Sequence, residues 1–118
     1  MEDRVKVILY KDKAIVYGDY SGLVGDEIVA LIEQQELESL KLQNKKILHL
    51  LNFTDSKMNN SSKERAKEMV ATLTSKNYTV KTAAFGVSGL QRLIANAVKG
   101  DIYFGKDIDD SKEWLIKE

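Results

Sequence analysis

Residues 81–99, KTAAFGVSGLQRLIANAVK, decide the fold. Ala83, Ala84, Phe85 and Val87 form a short apolar run between polar residues, the composition of a strand covered on both faces. Ser88 follows at once and Gln91 lies three residues on, the spacing of a capping box that satisfies free backbone N–H groups at a helix start. Leu90, Leu93, Ile94, Ala97 and Val98 then recur at helical intervals, with Gln91, Arg92, Asn96 and Lys99 on the opposite side. The stretch predicts a buried strand, a sharp turn and an amphipathic helix.

The same unit repeats on either side. Lys46 to Phe53 is a second near-continuous apolar run and predicts a central strand, with His49 packed inside it. Residues 52–62, NFTDSKMNNSS, are the most polar segment of the chain. Ser61 and Glu64 give another capping box, and Ala66, Met69, Val70 and Leu73 a helical stripe to about Lys76, with Asn77 as a left-handed stop. Upstream, a helix is expected from near Gly22 or Gly25 to about Glu38, its buried stripe marked by Val24, Ile28, Leu31 and Ile32. Leu37, Leu40 and Leu42 either continue it or pin the connection that follows.

Val5 to Tyr10 and Ala14 to Tyr17 read as two strands joined by Lys11-Asp12-Lys13, too short a link for anything but an antiparallel hairpin. Gly18, Gly22 and Gly25 match neither the Walker A nor the dinucleotide spacing and read as turn residues. Downstream, Ile102 to Phe104 is a short strand. Asp110 with Glu113 starts a last helix whose Trp114 is expected to lid the sheet. The alternation predicts one α/β domain over residues 1–118: a mixed sheet with an N-terminal antiparallel hairpin followed by four right-handed strand-helix units.

Composition narrows the function. In 118 residues, eighteen Lys and Arg balance eighteen Asp and Glu, so no long-range field favours nucleic acid. The absence of cysteine removes disulfides, thiolate catalysis and thiolate metal sites. With one histidine, a metal centre would need carboxylates for every further ligand, and neither a metal nor a cofactor is expected. The opening residues lack the apolar core of a signal peptide and no run reaches membrane-spanning length, so a cytoplasmic protein is expected.

The run Phe85-Gly86-Val87-Ser88-Gly89-Leu90-Gln91-Arg92, the continuation Ala95-Asn96-Ala97 and the ending Ser111-Lys112-Glu113-Trp114-Leu115 resemble the SpoIIAA-like family. These proteins are relatives of the STAS domain (sulfate transporter and anti-sigma factor antagonist). Gly18-Asp19-Tyr20-Ser21-Gly22 and Phe53-Thr54-Asp55 are similar too, so the likeness spans nearly the whole chain. It implies successive strand-helix turns forming a superhelix, an arrangement also found in lipid-carrying CRAL-TRIO domains. Anti-sigma antagonists of this fold carry a phosphorylatable serine in an Asp-Ser-Ser-Gly-Leu motif after the third strand. Here that region reads Asp55-Ser56-Lys57-Met58-Asn59: Asp55 and Ser56 fit, which makes Ser56 the candidate phosphoacceptor, whereas Lys57 and Met58 depart.

Ligands of parallel sheets sit beyond the carboxyl ends of the strands. The candidate binding residues are accordingly Asn52, Thr54, Asp55 and Ser56 after one strand, and Ser88, Gly89 and Arg92 after the next. Helix capping by the same side chains is the competing explanation. No complete catalytic set is present, and His49 at mid-strand is poorly placed to activate a loop serine. The expected function is a non-enzymatic STAS-like regulatory or interaction module that binds a protein partner or a small anion at these loops. The alternatives are a carrier of a lipid-like molecule, and a hydrolase or phosphoryl-transfer enzyme using Asp55, Ser56 or Ser88. If the helices cover one sheet face only, a homodimer would cover the other.

Overall fold

The computed structural model describes residues 3–89 and 102–117. Strand β1 (Val5–Tyr10) turns through Lys11 and Asp12 into β2 (Lys13–Asp19). Both turn residues have positive φ, 49° and 67°, the two-residue geometry whose twist suits a tight hairpin. There follow α1 (Asp26–Leu40), β3 (Lys46–Asn52), α2 (Asn60–Ser75), β4 (Thr79–Phe85), β5 (Ile102–Gly105) and α3 (Ile108–Ile116). The helix expected from Ser88 to Lys99, with its Ser88/Gln91 capping box and the stripe Leu90, Leu93, Ile94, Ala97 and Val98, lies outside the described residues beyond Gly89.

The five strands form one sheet in the order β1-β2-β3-β4-β5, with β1 and β2 antiparallel and every other pair parallel. Asp19, Asn52, Phe85 and Gly105 stand in one row across the parallel strands. The loops after β2, β3, β4 and β5 therefore leave from the same border, and this row positions the candidate site.

Each sheet face has its own core. On one face Val16, Ile47 and Tyr78 pack with Ile28, Leu31 and Ile32 of α1 and Met69 and Leu73 of α2. On the other, Ile15, Leu48, Leu50 and Ala83 pack against Leu115 of α3, with Tyr103, Ile108 and Trp114 at the margin. A fully buried Leu or Ile contributes about 1.5–3 kcal/mol, so both faces supply stability. Helices lie on both sides of the sheet, and the one-sided arrangement that would call for a dimer to cover a bare face is not the one found. Trp114 stacks on Tyr103 with ring centroids 4.9 Å apart, a lid at the end of this second core.

Several boundaries differ from the sequence reading for local reasons. Val24 is 49% exposed and sits in the loop before α1, which starts at Asp26, so it is not part of the buried stripe. The α2 capping box is Asn59 with Ser62, not Ser61 with Glu64: Ser62 N–H donates to Asn59 Oδ1 at 2.8 Å and Asn59 N–H to Ser62 Oγ at 2.8 Å. Helix α3 is capped by Asp107, whose carboxylate accepts from Asp110 N–H at 2.8 Å, so it begins one turn before the expected start. Strand β4 ends at Phe85, leaving Val87 in the loop. Helix α1 continues to Leu40, with Leu37 exposed and Leu40 and Leu42 packed on the core. Asn77 has φ of 70°, the expected left-handed stop.

Candidate functional site

Three loops, 20–25, 53–59 and 86–89, rise side by side from the carboxyl border of the sheet. Backbone hydrogen bonds join the first two: Tyr20 N–H to Asn52 O at 2.8 Å, Gly22 N–H to Thr54 O at 2.9 Å, Lys57 N–H to Leu23 O at 3.0 Å and Gly25 N–H to Lys57 O at 3.0 Å. Val24 and Lys57 thereby form a parallel bridge outside the main sheet. The second loop is tied to β4 by Phe53 N–H donating to Phe85 O at 2.9 Å. Below, the rings of Tyr20 and Phe53 meet with centroids 5.0 Å apart, an apolar footing for the ledge.

The middle loop is also pinned from within. Asn52 Oδ1 accepts from Thr54 N–H at 3.0 Å and from the Thr54 hydroxyl at 2.7 Å, an Asx turn that commits the Asn52 carbonyl to structure. Asp55 adopts φ of 57°, a left-handed conformation that short polar side chains tolerate best. Gly86 has φ of 75°, and a Cβ there would lie 2.9 Å from Thr54 N and 3.0 Å from Thr54 Cα, besides meeting Thr54 Oγ1. Glycine at position 86 is what lets the second and third loops touch.

These constraints separate the residues named from sequence. Asp55, Ser56 and Ser88 line one cleft of about 460 Å³, together with Phe53, Lys57, Gly86 and Val87. Thr54 and Gly89 are exposed beside it, so both predicted strand ends do meet on one border. Ser56 is 4% exposed and its hydroxyl donates to Phe53 O at 2.8 Å, so in this conformation it is a turn-forming group with its oxygen turned away from solvent. Asn52 acts from behind the rim. It also hydrogen-bonds Tyr17, whose phenol is raised above its usual range chiefly by burial, against the lowering effect of that bond. Arg92 lies outside the described residues.

Lys57 and Val24 were not among the candidates, yet both present side chains on the ledge. Lys57 entered the sequence reading only as a departure from a phosphoserine motif, and Val24 as a core residue. The signal that would have found them is the pairing of their two loops, which is tertiary.

Among the described residues, the two helix termini behind the ledge, those of α1 and α2, are already served. The first turn of α1 carries Asp26 and Glu27, and Glu27 accepts from Val24 N–H at 3.2 Å. Two N–H groups at the start of α2 are taken by its capping box. Negative charge or internal caps thus occupy the positions where a small anion would seek backbone donors.

His49 belongs elsewhere. It is 1% exposed, lies on the α1 face of β3 and bonds Ser39 with Nε2 to Oγ at 2.8 Å. Because the Ser39 hydroxyl donates to Gln35 O at 2.7 Å, it accepts from His49, which fixes the Nε2–H tautomer. Burial lowers the His49 pKa to about 4. The imidazole is a core hydrogen-bond donor and does not serve the rim serines. Among the described residues, no group of three His, Asp or Glu is placed to hold a metal ion, and no helix is long and apolar enough to cross a membrane.

The β-hairpin, the parallel continuation and the helices on both faces make up a SpoIIAA-like fold. An uncharacterized protein from the DUF3478 family with a SpoIIAA-like fold, from Shewanella loihica PV-4, matches with a TM-score of 0.64 over 94% of this chain and 91% of that one, at 16% identity. That likeness establishes the fold. No family model and no curated protein matches the sequence.

Proposed function

We propose that this chain is a non-enzymatic STAS-like interaction module that engages a protein partner through the ledge formed by loops 20–25, 53–59 and 86–89. The carrying observation is the zipper of backbone hydrogen bonds between the first two loops, which holds exposed Val24, Thr54, Asp55 and Lys57 in fixed relation, with Ser88 alongside. An apolar residue, both charges and two hydroxyls within one preformed surface suit a mixed protein surface. A small anion is the less favoured ligand, because α1 opens with two carboxylates and α2 is capped by its own side chains.

The carrier and enzyme alternatives draw less support. A lipid carrier needs an enclosed apolar chamber, whereas the ledge cleft and a second cleft of about 400 Å³ at the opposite border both open to solvent, the second mixing Leu9, Leu42 and Leu48 with Asp12, Lys13 and Lys46. A hydrolase would need a base near Asp55 or Ser88, and the one histidine is committed to Ser39.

The test is crosslinking of native and Val24→Glu/Lys57→Glu protein in extract of the source cell, followed by mass spectrometry. A partner held by the native chain, retained by a Lys13→Glu control at the far border and lost from the ledge variant is the expected result. Equal recovery by all three proteins refutes the proposal.

A further inference from the structure

The amino border of the sheet, opposite the ledge, carries the cleft of about 400 Å³ that the proposed function leaves unused. Leu9, Leu42, Leu48 and Leu115 give it apolar walls. Its lip comes from the connection between α1 and β3, where Asn44 Oδ1 accepts from Lys46 N–H at 2.9 Å and fixes the start of the strand. A cleft of this size, mostly apolar with a few polar groups at one side, has the make-up of a small-molecule site.

Three lysines enter this end of the sheet from three adjacent strands. Side chains alternate along a strand, so Lys13 shares a face with Ile15, Lys46 with Leu48 and Lys81 with Ala83, and all three stand on the α3 face. The register of β2 on β3, Val16 beside His49, carried back to the strand starts sets Lys13 level with Lys46. Lys81 stands beside Leu48. Lys81 is spent on the fold: its ammonium donates to Trp114 O, Leu115 O and Lys117 O and lies 4.5 Å from the centre of the Trp114 ring. The carbonyls that end α3 are thereby capped and do not repel an anion placed nearby. Lys13 and Lys46 line the cleft, and among the described residues neither ammonium has an ion-pair, hydrogen-bond or ring partner. Asp12, the one acid among the described lining residues, pairs with neither. Like charges on neighbouring strands repel, and after burial it is the ammoniums of Lys46, Lys117 and Lys13 that hold the Lys81 pKa below its ordinary value.

We propose that this cleft binds a small organic anion, its carboxylate or phosphate head held between Lys13 and Lys46 and a short apolar body laid against Leu9, Leu42 and Leu48. Either head accepts charge-assisted hydrogen bonds from both ammoniums and relieves their mutual repulsion. The body accounts for the apolar walls, and the open mouth limits it to a compact group rather than a long enclosed chain. The site shares no residue with loops 20–25, 53–59 and 86–89, so this inference is independent of the ledge's role.

The experiment titrates the full chain with octanoate and with phenyl phosphate at low ionic strength, followed by amide chemical shifts. Saturable shifts at residues 13–14, 42–48 and 115–116, with a dissociation constant of about 1 mM or tighter for at least one probe, are expected. Octanoate binding the tighter supports a carboxylate ligand, and phenyl phosphate binding the tighter supports a phosphate monoester. Inorganic phosphate and benzyl alcohol each hold half of the second probe's chemistry and are expected to bind at least about tenfold more weakly than it does. Lys13 and Lys46 are both exposed, so the double variant Lys13→Gln/Lys46→Gln is expected to keep native urea unfolding while losing at least about tenfold in affinity. Leu9→Gln, at a position 78% exposed, is expected to weaken both probes without weakening inorganic phosphate. No saturable shift from either probe at about 20 mM, undiminished binding by the double variant, or inorganic phosphate binding as tightly as phenyl phosphate overturns the proposal.

Discussion

The buried histidine makes stability depend on pH in a window of its own. Burial holds the folded-state pKa of His49 at about 4, against an ordinary value of 6.5 for the unfolded chain. Above pH 6.5 both states are neutral at this site and it contributes no pH dependence. Between 6.5 and about 4 the unfolded chain binds a proton that the folded chain refuses, so stability falls as pH falls, by about 1.4 kcal/mol per pH unit. Across the window the loss is about 3 kcal/mol, a large share of the 5–15 kcal/mol typical of a domain. Below pH 4 the slope due to His49 ends.

Other groups act lower on the scale. Asp110 is held below the ordinary carboxylate range first by Lys106 N–H and then by the Tyr103 hydroxyl, and Glu113 first by Lys11 and then by Tyr10. Their contribution is present above the unfolded carboxylate pKa and is lost only as pH falls below it, so the histidine slope stands alone between 6.5 and 5. The assay is urea unfolding at several pH values across that interval, native against His49→Gln, paired with NMR titration of the single imidazole. The native slope and a flat His49→Gln profile are expected. A native profile that is also flat, or an imidazole midpoint above about pH 6, refutes the reasoning.

Three further perturbations test the same structure. Ser39→Ala removes the acceptor for His49 Nε2–H inside the core and is expected to cost about 1–3 kcal/mol in urea unfolding at neutral pH; a loss under about 0.3 kcal/mol would mean the donor finds another partner. Gly86→Ala drives a Cβ into the Thr54 backbone at positive φ and is expected to cost at least about 1 kcal/mol, with chemical-shift changes in loop 53–59; shifts confined to residues 85–87 would contradict the contact. Lys81→Met removes an ammonium that donates to Trp114 O, Leu115 O and Lys117 O at 2.9, 3.2 and 2.6 Å, and is expected to cost about 1 kcal/mol and to speed amide exchange in α3; unchanged exchange there would dismiss the cap.

What was legible from sequence follows from which features are local. The hairpin is announced by a link too short for any other topology, and the parallel strands by apolar runs that alternate with helical stripes. The shared border of Thr54 and Gly89 follows from that alternation, because consecutive parallel strands must end on the same side. The cap of α2 lies two residues before the expected one because Asn59, Ser61 and Ser62 are all competent caps, and in the fold it is Asn59 and Ser62 that exchange hydrogen bonds. Val24 was assigned to a core stripe because its spacing from Ile28 is helical, while the backbone bond from Gly25 N–H to Lys57 O holds the chain in a loop at that point. Lys57 was invisible as a site residue because its position depends on the bridge to Val24, 33 residues earlier, which forms only in the folded sheet.

The internal hydrogen bonding of the ledge bears on the proposed recognition. Gly22 and Gly25 both take positive φ, which turns their N–H groups onto Thr54 O and Lys57 O and spends the loop's main-chain donors internally. A partner of the proposed kind would therefore meet side chains rather than open backbone, with little loop ordering left to oppose association. Under the proposed function, specificity would rest on the identities of Val24, Thr54, Asp55, Lys57 and Ser88, and a ledge substitution is expected to lower partner recovery in the crosslinking assay with little effect on urea unfolding. Beneath this surface Tyr20 donates its hydroxyl to Gln35 Oε1 while Gln35 Nε2 has no partner among the described residues, so the footing of the first loop reaches the same buried polar chain that ends at His49. Tyr20 of the first loop and His49 of the core thus both bond to α1, through Gln35 and Ser39.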